Sequence, residues 1–250
     1  MNQFVKNVKR IEFAVTFACT GKCKHCSEGD HLGCSEHIDQ EAAVKAVRDI
    51  CENYKIESLM TFGGEPLLYP ETTCAIHAVA TELGIPKRQL ITNGYFSKDP
   101  ARIAAVARLI ARAGVNDLLL SVDAFHQETI PLDVVKSFAT CQVELGVPVR
   151  LSPAWLVSAS DDNPYNVKTR EILDSFSSLG IPVGSGNVIF PSGNALKYLG
   201  EYLDPSMVSP YVDDPLDVQC ISFGPSGDVD ILGGNINETP IMEIVKSYRV

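Results

Sequence analysis

The feature that most constrains the fold of this chain is a repeated alternation of a short apolar run with a longer amphipathic segment. Near-continuous apolar runs that alternate with helical patterns predict an α/β fold with a parallel sheet. Either an open doubly wound sheet or a partial (β/α)6 barrel fits, and both bind ligands at the carboxyl ends of their strands. The six predicted strands are 11–17, 58–62, 89–92, 117–122, 149–157 and 183–189.

The alternating pattern breaks after residue 203. Residues 204–217 are rich in proline and aspartate and are typical of a linker. Two short apolar runs, 219–223 and 228–232, flank Gly224-Pro225-Ser226-Gly227 and predict a hairpin. A last helix is predicted over 240–248. We therefore expect a core domain over residues 1–203 and a small hairpin–helix extension over 204–250.

Composition narrows the class of protein. The chain has 250 residues, of which 45% are hydrophobic and 21% charged, as in an ordinary globular protein. Its net charge of −10 argues against a nucleic-acid partner, since phosphate recognition needs basic side chains. No apolar run approaches the ~18 residues of a membrane helix. A short apolar stretch at 11–18 resembles a secretion signal, but Glu12 interrupts it, and we expect a cytoplasmic protein.

Three of the eight cysteines lie close together directly after the first predicted strand. Cys19, Cys23 and Cys26 form a CxxxCxxC pattern, and the other cysteines are scattered. Three thiolates on one loop suit three irons of a cubane and leave the fourth iron open to another ligand. The alternative is a structural zinc site completed by His25 or Cys34. Either site indicates a reducing compartment rather than a disulfide framework.

Polar or glycine-rich motifs end three further strands. Gly63-Gly64-Glu65-Pro66 follows the second strand; without Cβ atoms its glycines let the backbone approach a ligand, although the motif alone is typical of a turn. Asn93-Gly94 closes the third strand and is also either a turn or a ligand contact. At the fourth strand, Ser121 and Asp123 share one face, and they need partners if buried. Helix capping is the alternative for Asp123.

The cysteine loop and the GGEP motif together resemble the radical S-adenosylmethionine (SAM) enzymes. The resemblance covers all six strand–helix units and implies a partial (β/α)6 TIM-like barrel. It implies that Cys19, Cys23 and Cys26 hold a [4Fe–4S] cluster whose open iron is chelated by SAM. Ser121 would bond the SAM carboxylate and Asp123 the ribose hydroxyls. Reductive cleavage of SAM, followed by hydrogen abstraction from a substrate, is the implied activity.

Four other residues are weaker candidates. His25 holds the position where the family usually carries an aromatic residue near adenine. Arg150 is either a contact of SAM or substrate, or a surface charge. His126 follows the fourth strand, on a loop expected to lie near the substrate. Cys220 is expected to be a buried thiol or a hydrogen-atom donor.

The segment that starts at Cys220 resembles the opening of the SPASM-type extension of peptide-modifying relatives. No further cysteine follows it, so we expect one cluster per chain. The resemblance implies a peptide or a small metabolite as substrate, an electron donor such as flavodoxin or ferredoxin, and anaerobic chemistry. A non-catalytic iron–sulfur or zinc-binding protein of the same fold is the alternative from a different class, and it would not turn over SAM.

Overall fold

The computed structural model describes residues 2–250 and contains a six-stranded sheet whose paired strands are all parallel. The sheet order is β5-β4-β3-β2-β1-β8, and a separate two-stranded sheet holds β6 and β7. The strands are β1 (Arg10–Thr16), β2 (Ser58–Gly63), β3 (Lys87–Thr92), β4 (Asp117–Ser121), β5 (Val149–Ser152), β6 (Ala154–Trp155), β7 (Asn187–Val188) and β8 (Cys220–Phe223). The helices are α1 (Gln40–Cys51), α2 (Pro70–Glu82), α3 (Pro100–Ala113), α4 (Ala124–Gln127), α5 (Leu132–Glu144), α6 (Pro164–Asp174), α7 (Gly193–Leu199) and α8 (Ile241–Ser247).

Local capping explains where the helices begin and end. Asp39 accepts a hydrogen bond from the Ala42 amide at 2.8 Å and starts α1. Asp99 caps α3, whose first residue is a proline, and Gly114 ends that helix with a φ of 80°. These residues match the preferences of helix termini. The amphipathic segments that alternate with the apolar runs form helices, and the last helix, predicted over 240–248, is confirmed as α8.

The two faces of the main sheet differ in chemistry. Ile11 and Phe13 of β1 point to the helix side and are fully buried in a core that includes α1 and α2. Since side chains alternate along a strand, Arg10 and Glu12, which occupy the alternate positions of β1, lie on the opposite face, here called the inner face. An ordered polar row crosses this inner face from β1 to β5.

The sixth strand of the sheet differs from the prediction. Residues 183–189 pair only briefly: Val183 forms a single parallel bridge to Leu151 of β5, and β7 pairs with β6 outside the main sheet. Pro153 separates β5 from β6, and Gly184 and Gly186 interrupt the later run, which explains its short pairing.

β8 takes the sixth place in the main sheet, where it pairs in parallel with β1. The sequence predicted these residues as one strand of a separate hairpin. Phe223 stacks on Phe13 with ring centroids 4.6 Å apart, so burial in the main core outweighs pairing within a two-stranded hairpin. A single antiparallel bridge, Phe223 to Val229, remains of the predicted hairpin.

The end of the chain packs on the same core as its beginning. Val218, Ile221, Ile244 and Val245 are buried in one cluster with Ile11. The division at residue 203 stays a prediction. Within residues 2–250, no helix has both the length and the apolar character needed to cross a membrane.

Candidate active site

The three clustered cysteines lie on the loop that follows β1, at the carboxyl edge of the sheet. A Cβ atom on Gly21 would lie 3.7 Å from the sulfur of Cys19 and 3.2 Å from that of Cys23, so both sulfurs face one small space. Cys23 is buried, and Cys19 and Cys26 are half-buried. Burial raises the pKa of Cys19 to about 11, so a bound cation is needed to stabilise the thiolate. Three thiols grouped in this way fit a [4Fe–4S] cluster with one open iron.

The two glycines of the GGEP motif pack directly against the backbone at the start of this loop, a contact here called the clamp. A Cβ on Gly63 would lie 2.3 Å from the Thr16 carbonyl oxygen, and one on Gly64 would lie 2.2 Å from that of Ala18. The Gly64 amide donates to Thr16 at 2.7 Å, and the Glu65 amide donates to Ala18 at 2.8 Å. Only glycine allows this approach. On the side where a Cβ would project, the nearest groups are the backbone carbonyls of the cysteine loop, and the ligand contact of the motif stays a prediction.

Glu65 joins the ends of β2 and β3 beneath Cys19. Its fully buried carboxylate accepts from the Thr92 hydroxyl at 2.7 Å and from the amides of Leu67 and Asn93 at 2.9 Å each. Burial raises the pKa of Glu65 to about 7, although these hydrogen bonds oppose the shift. The Asn93 side-chain amide lies 3.6 Å from the sulfur of Cys19. Pro66 follows and begins a short 3-10 helix, 66–68, that fixes the exit of the chain.

Asp123 is placed as a helix cap. One carboxylate oxygen accepts from the amides of Phe125 and His126 at 2.9 Å each. The other accepts from the Ala154 amide at 3.0 Å and from Nδ1 of His126 at 2.8 Å. A carboxylate offers about four acceptor positions, and all of them are used. The side chain is fully buried, so helix capping accounts for Asp123, and the contact with the ribose hydroxyls stays a prediction.

His25 and His126 lie side by side over Cys23. Their ring centroids are 4.8 Å apart, and His25 also packs 5.1 Å from the ring of Phe125. Burial lowers the pKa of His25 to about 4. Its Nδ1 atom is buried and has no hydrogen-bond partner among the described residues. Lys24 holds this part of the loop against the end of α4 through a 3.0 Å ion pair with Glu128.

Ser121 ends β4 on the inner face and pairs in register with Ser152 of β5. Both residues are half-buried. Both end their strands at the carboxyl edge of the sheet, where the cysteine loop also begins, and Ser121 stays a candidate ligand contact.

Arg150 and Cys220 lie away from the carboxyl edge. Arg150 is level with Leu119 and forms hydrogen bonds of 2.7 and 3.0 Å to Asp117, the first residue of β4. Cys220 pairs in register with Arg10, the first residue of β1. This position lies about 20 Å along the strand from the carboxyl end of β1. Neither residue lies beside the cysteine loop, and the SAM contact of Arg150 stays a prediction.

Two residues that contact the loop were missed by sequence reasoning. Nε2 of His31 lies 3.2 Å from the sulfur of Cys26, and its Nδ1 donates to the Phe17 carbonyl at 2.7 Å. Asn194, at the start of α7, donates to the carbonyl oxygens of Cys23 and Gly29 at 3.3 and 3.2 Å. Neither belongs to a local motif; only the proximity of His31 to Cys26 in the sequence offered a signal.

A parallel α/β sheet with three cysteines on the loop after its first strand defines a class of iron–sulfur protein with one iron open to a ligand. The model of the Radical SAM superfamily matches residues 13–144, and the chain belongs to this superfamily. The enzymes of this superfamily use a [4Fe–4S] cluster and SAM.

Curated relatives match part of the chain. The GTP 3',8-cyclase of Vibrio parahaemolyticus is 31% identical over 140 residues, which cover 51% of this chain and 39% of that protein. The GTP 3',8-cyclase of Actinobacillus pleuropneumoniae serotype 7 is 27% identical over 135 residues, 53% of this chain and 38% of that protein. The match therefore spans about two-fifths of the length of these relatives.

Solved structures share the fold over nearly the whole chain. Streptococcus suis SuiB bound to its precursor peptide SuiA superposes with a TM-score of 0.63 at 12% identity, covering 98% of this chain and 65% of that one. The enzyme anSMEcpe with bound AdoMet gives a TM-score of 0.63 at 13% identity, covering 97% and 80%. At these identities the likeness establishes the fold alone.

Proposed function

We propose that this enzyme cleaves SAM reductively at one [4Fe–4S] cluster and removes a hydrogen atom from a peptide substrate. The observation that carries the proposal is the clamped three-cysteine loop. Gly63 and Gly64 contact its backbone where no other residue fits, which fixes the loop that presents the thiols. This fixed geometry is what a site-differentiated cluster requires.

Cys19, Cys23 and Cys26 would hold the cluster, which supplies the electron that breaks a carbon–sulfur bond of SAM. The chain contributes position and shielding. The Asn93 side-chain amide lies against the sulfur of Cys19, and the Glu65 carboxylate holds Asn93 in place through its backbone amide. Ser121 would contact SAM from the carboxyl end of β4. An external reductant of the flavodoxin or ferredoxin type would deliver the electron.

The inner face of the sheet favours a peptide over a nucleotide. A triphosphate needs cations that are not already neutralised. Arg10 is bound to Glu12, and Arg150 is bound to Asp117. Both pairs lie toward the amino ends of the strands, away from the cysteine loop, and they leave neither arginine free to bind a triphosphate. The shared fold of SuiB, which was solved with its precursor peptide, also supports a peptide substrate. The resemblance of the segment after Cys220 to a SPASM-type extension supports it as well.

The cluster assignment is tested by single alanine substitutions at the loop. Anaerobic reconstitution of Cys23→Ala should give no stable cubane and no 5′-deoxyadenosine from SAM. The matched control is Cys34→Ala, because Cys34 is an exposed thiol just beyond the same loop. The control should keep both iron and SAM cleavage. A full cluster in Cys23→Ala would refute the ligand assignment.

The substrate class is tested by deuterium transfer. Deuterated peptide libraries and deuterated GTP are incubated separately with the reduced enzyme and SAM. Deuterium in 5′-deoxyadenosine from a peptide pool is the expected result. Transfer from GTP alone would refute the peptide assignment and leave the radical chemistry intact.

A further inference from the structure

We propose that the chain, when it carries no iron–sulfur cluster, binds one Zn²⁺ through Cys23, His25 and His126. The ligand atoms of these residues all lie within 4.8 Å of one another, and Cys23 is buried beside the two half-buried histidines. One thiolate and two imidazoles are a donor set that zinc prefers. Three protein ligands leave a fourth position for water.

The distances require only a small closure of the site. Tetrahedral zinc with standard bond lengths separates its nitrogen and sulfur ligands by about 3.3–3.6 Å. The three atoms must therefore approach one another by about 1 Å. Two contacts keep residues 22–24 of the cysteine loop beside residues 128–129, which follow α4, so only a short movement is needed. The Lys22 amide donates to the Thr129 hydroxyl at 3.1 Å, and the ion pair of Lys24 with Glu128 joins the same two segments.

The surroundings of the two histidines match those of zinc ligands. Nδ1 of His126 is bound to the buried Asp123 carboxylate at 2.8 Å, which leaves Nε2 as the nitrogen free to bind a metal. A carboxylate on the far nitrogen is the usual support of a zinc-bound histidine. The buried Nδ1 of His25 lacks a partner among the described residues, and a buried polar atom without a partner is unfavourable. The unpartnered atom is the independent sign of a ligand at this position.

Zinc and the cluster exclude each other because both use Cys23. The expected consequence is that the zinc and iron contents of the full chain vary inversely. A three-thiolate zinc site on Cys19, Cys23 and Cys26 is the competing arrangement. The two sites differ in their dependence on His126, which the three-thiolate site does not need.

The test is titration of the full-length, cluster-free chain with Co²⁺ under anaerobic conditions, followed by displacement with Zn²⁺. We expect one tetrahedral Co²⁺ per chain with the charge-transfer absorption of a single thiolate. His126→Gln and His25→Gln should each weaken Zn²⁺ binding at least tenfold. His37→Gln is the matched control, since His37 is exposed and stacks on Tyr69 away from the site.

Thiol variants separate the two arrangements. Cys19→Ser and Cys26→Ser should retain Zn²⁺ affinity, whereas Cys23→Ser should lose it. Circular dichroism of each variant checks that the fold is kept. Unchanged affinity in both histidine variants, or equal loss in all three cysteine variants, would overturn the proposal. Neither outcome bears on SAM cleavage by the cluster-loaded enzyme, so the two proposals fail separately.

Discussion

Replacing Gly64 with alanine tests the clamp between the GGEP motif and the cysteine loop. The new methyl group would lie 2.2 Å from the Ala18 carbonyl oxygen and 2.8 Å from that of Phe17, and both atoms belong to backbone. The backbone must shift by about 1 Å, and overpacking of this kind costs about 1–3 kcal/mol. Weakening the 2.7 Å bond from Gly64 to Thr16 adds about 1 kcal/mol.

We therefore expect Gly64→Ala to lower the free energy of unfolding by about 3 kcal/mol. For a chain of this size, the midpoint of thermal unfolding then falls by roughly 6–12 °C. Iron content after reconstitution should fall as well, because the displaced backbone leads directly into Cys19. The assays are calorimetry and iron analysis under anaerobic conditions.

Gly84→Ala is the matched control for this prediction. Gly84 has a φ of 72°, and an added Cβ would meet nothing within 4 Å, so only backbone strain of about 1 kcal/mol is expected. Iron content should stay complete in the control. If Gly64→Ala is as stable as Gly84→Ala and binds a full cluster, the clamp is not what positions the loop.

Three further substitutions test the electrostatics and the capping of the site. Burial raises the pKa of Glu65 from 4.5 to about 7, so the folded state keeps a proton that the unfolded chain releases in this interval. The free energy of unfolding should then fall by roughly 3 kcal/mol as pH rises from 4.5 to about 7. Denaturant unfolding at several pH values should show a smaller fall for Glu65→Gln. Arg150→Ala should lower stability by about 1 kcal/mol, because its ion pair is partly exposed, and should leave SAM affinity unchanged; a large loss of SAM affinity would restore its predicted ligand role. Asp123→Ala leaves several buried donors unpaired and should lower stability by about 3 kcal/mol or more in thermal unfolding, whereas weaker SAM binding at full stability would restore the ribose contact.

The first five strands could be predicted because each contains a short apolar run and consecutive ones pair with each other across a helical connection. β8 could not be placed in the same way, because its four residues give the same local signal in a hairpin and in the main sheet. Its pairing with β1 joins residues about two hundred positions apart. The burial of Ile221 and the stacking of Phe223 on Phe13 favour the place in the main sheet.

The candidate site was predictable in its residues more than in their roles. The spacing of the cysteines and the GGEP motif located the loop and the strand end that holds it. The contacts of Gly64 and Asp123 depend on which backbone atoms lie opposite them, and no local pattern records this. For the same reason, the approach of His126 to Cys23 is visible only in the folded chain.

The most direct test of the central claim is anaerobic reconstitution followed by reduction and addition of SAM. Iron, sulfide and zinc are counted per chain, and 5′-deoxyadenosine is measured. We expect one cubane, with four irons and four sulfides, and formation of 5′-deoxyadenosine. A chain that holds only zinc after reconstitution, or a complete cluster that never cleaves SAM, would contradict the claim.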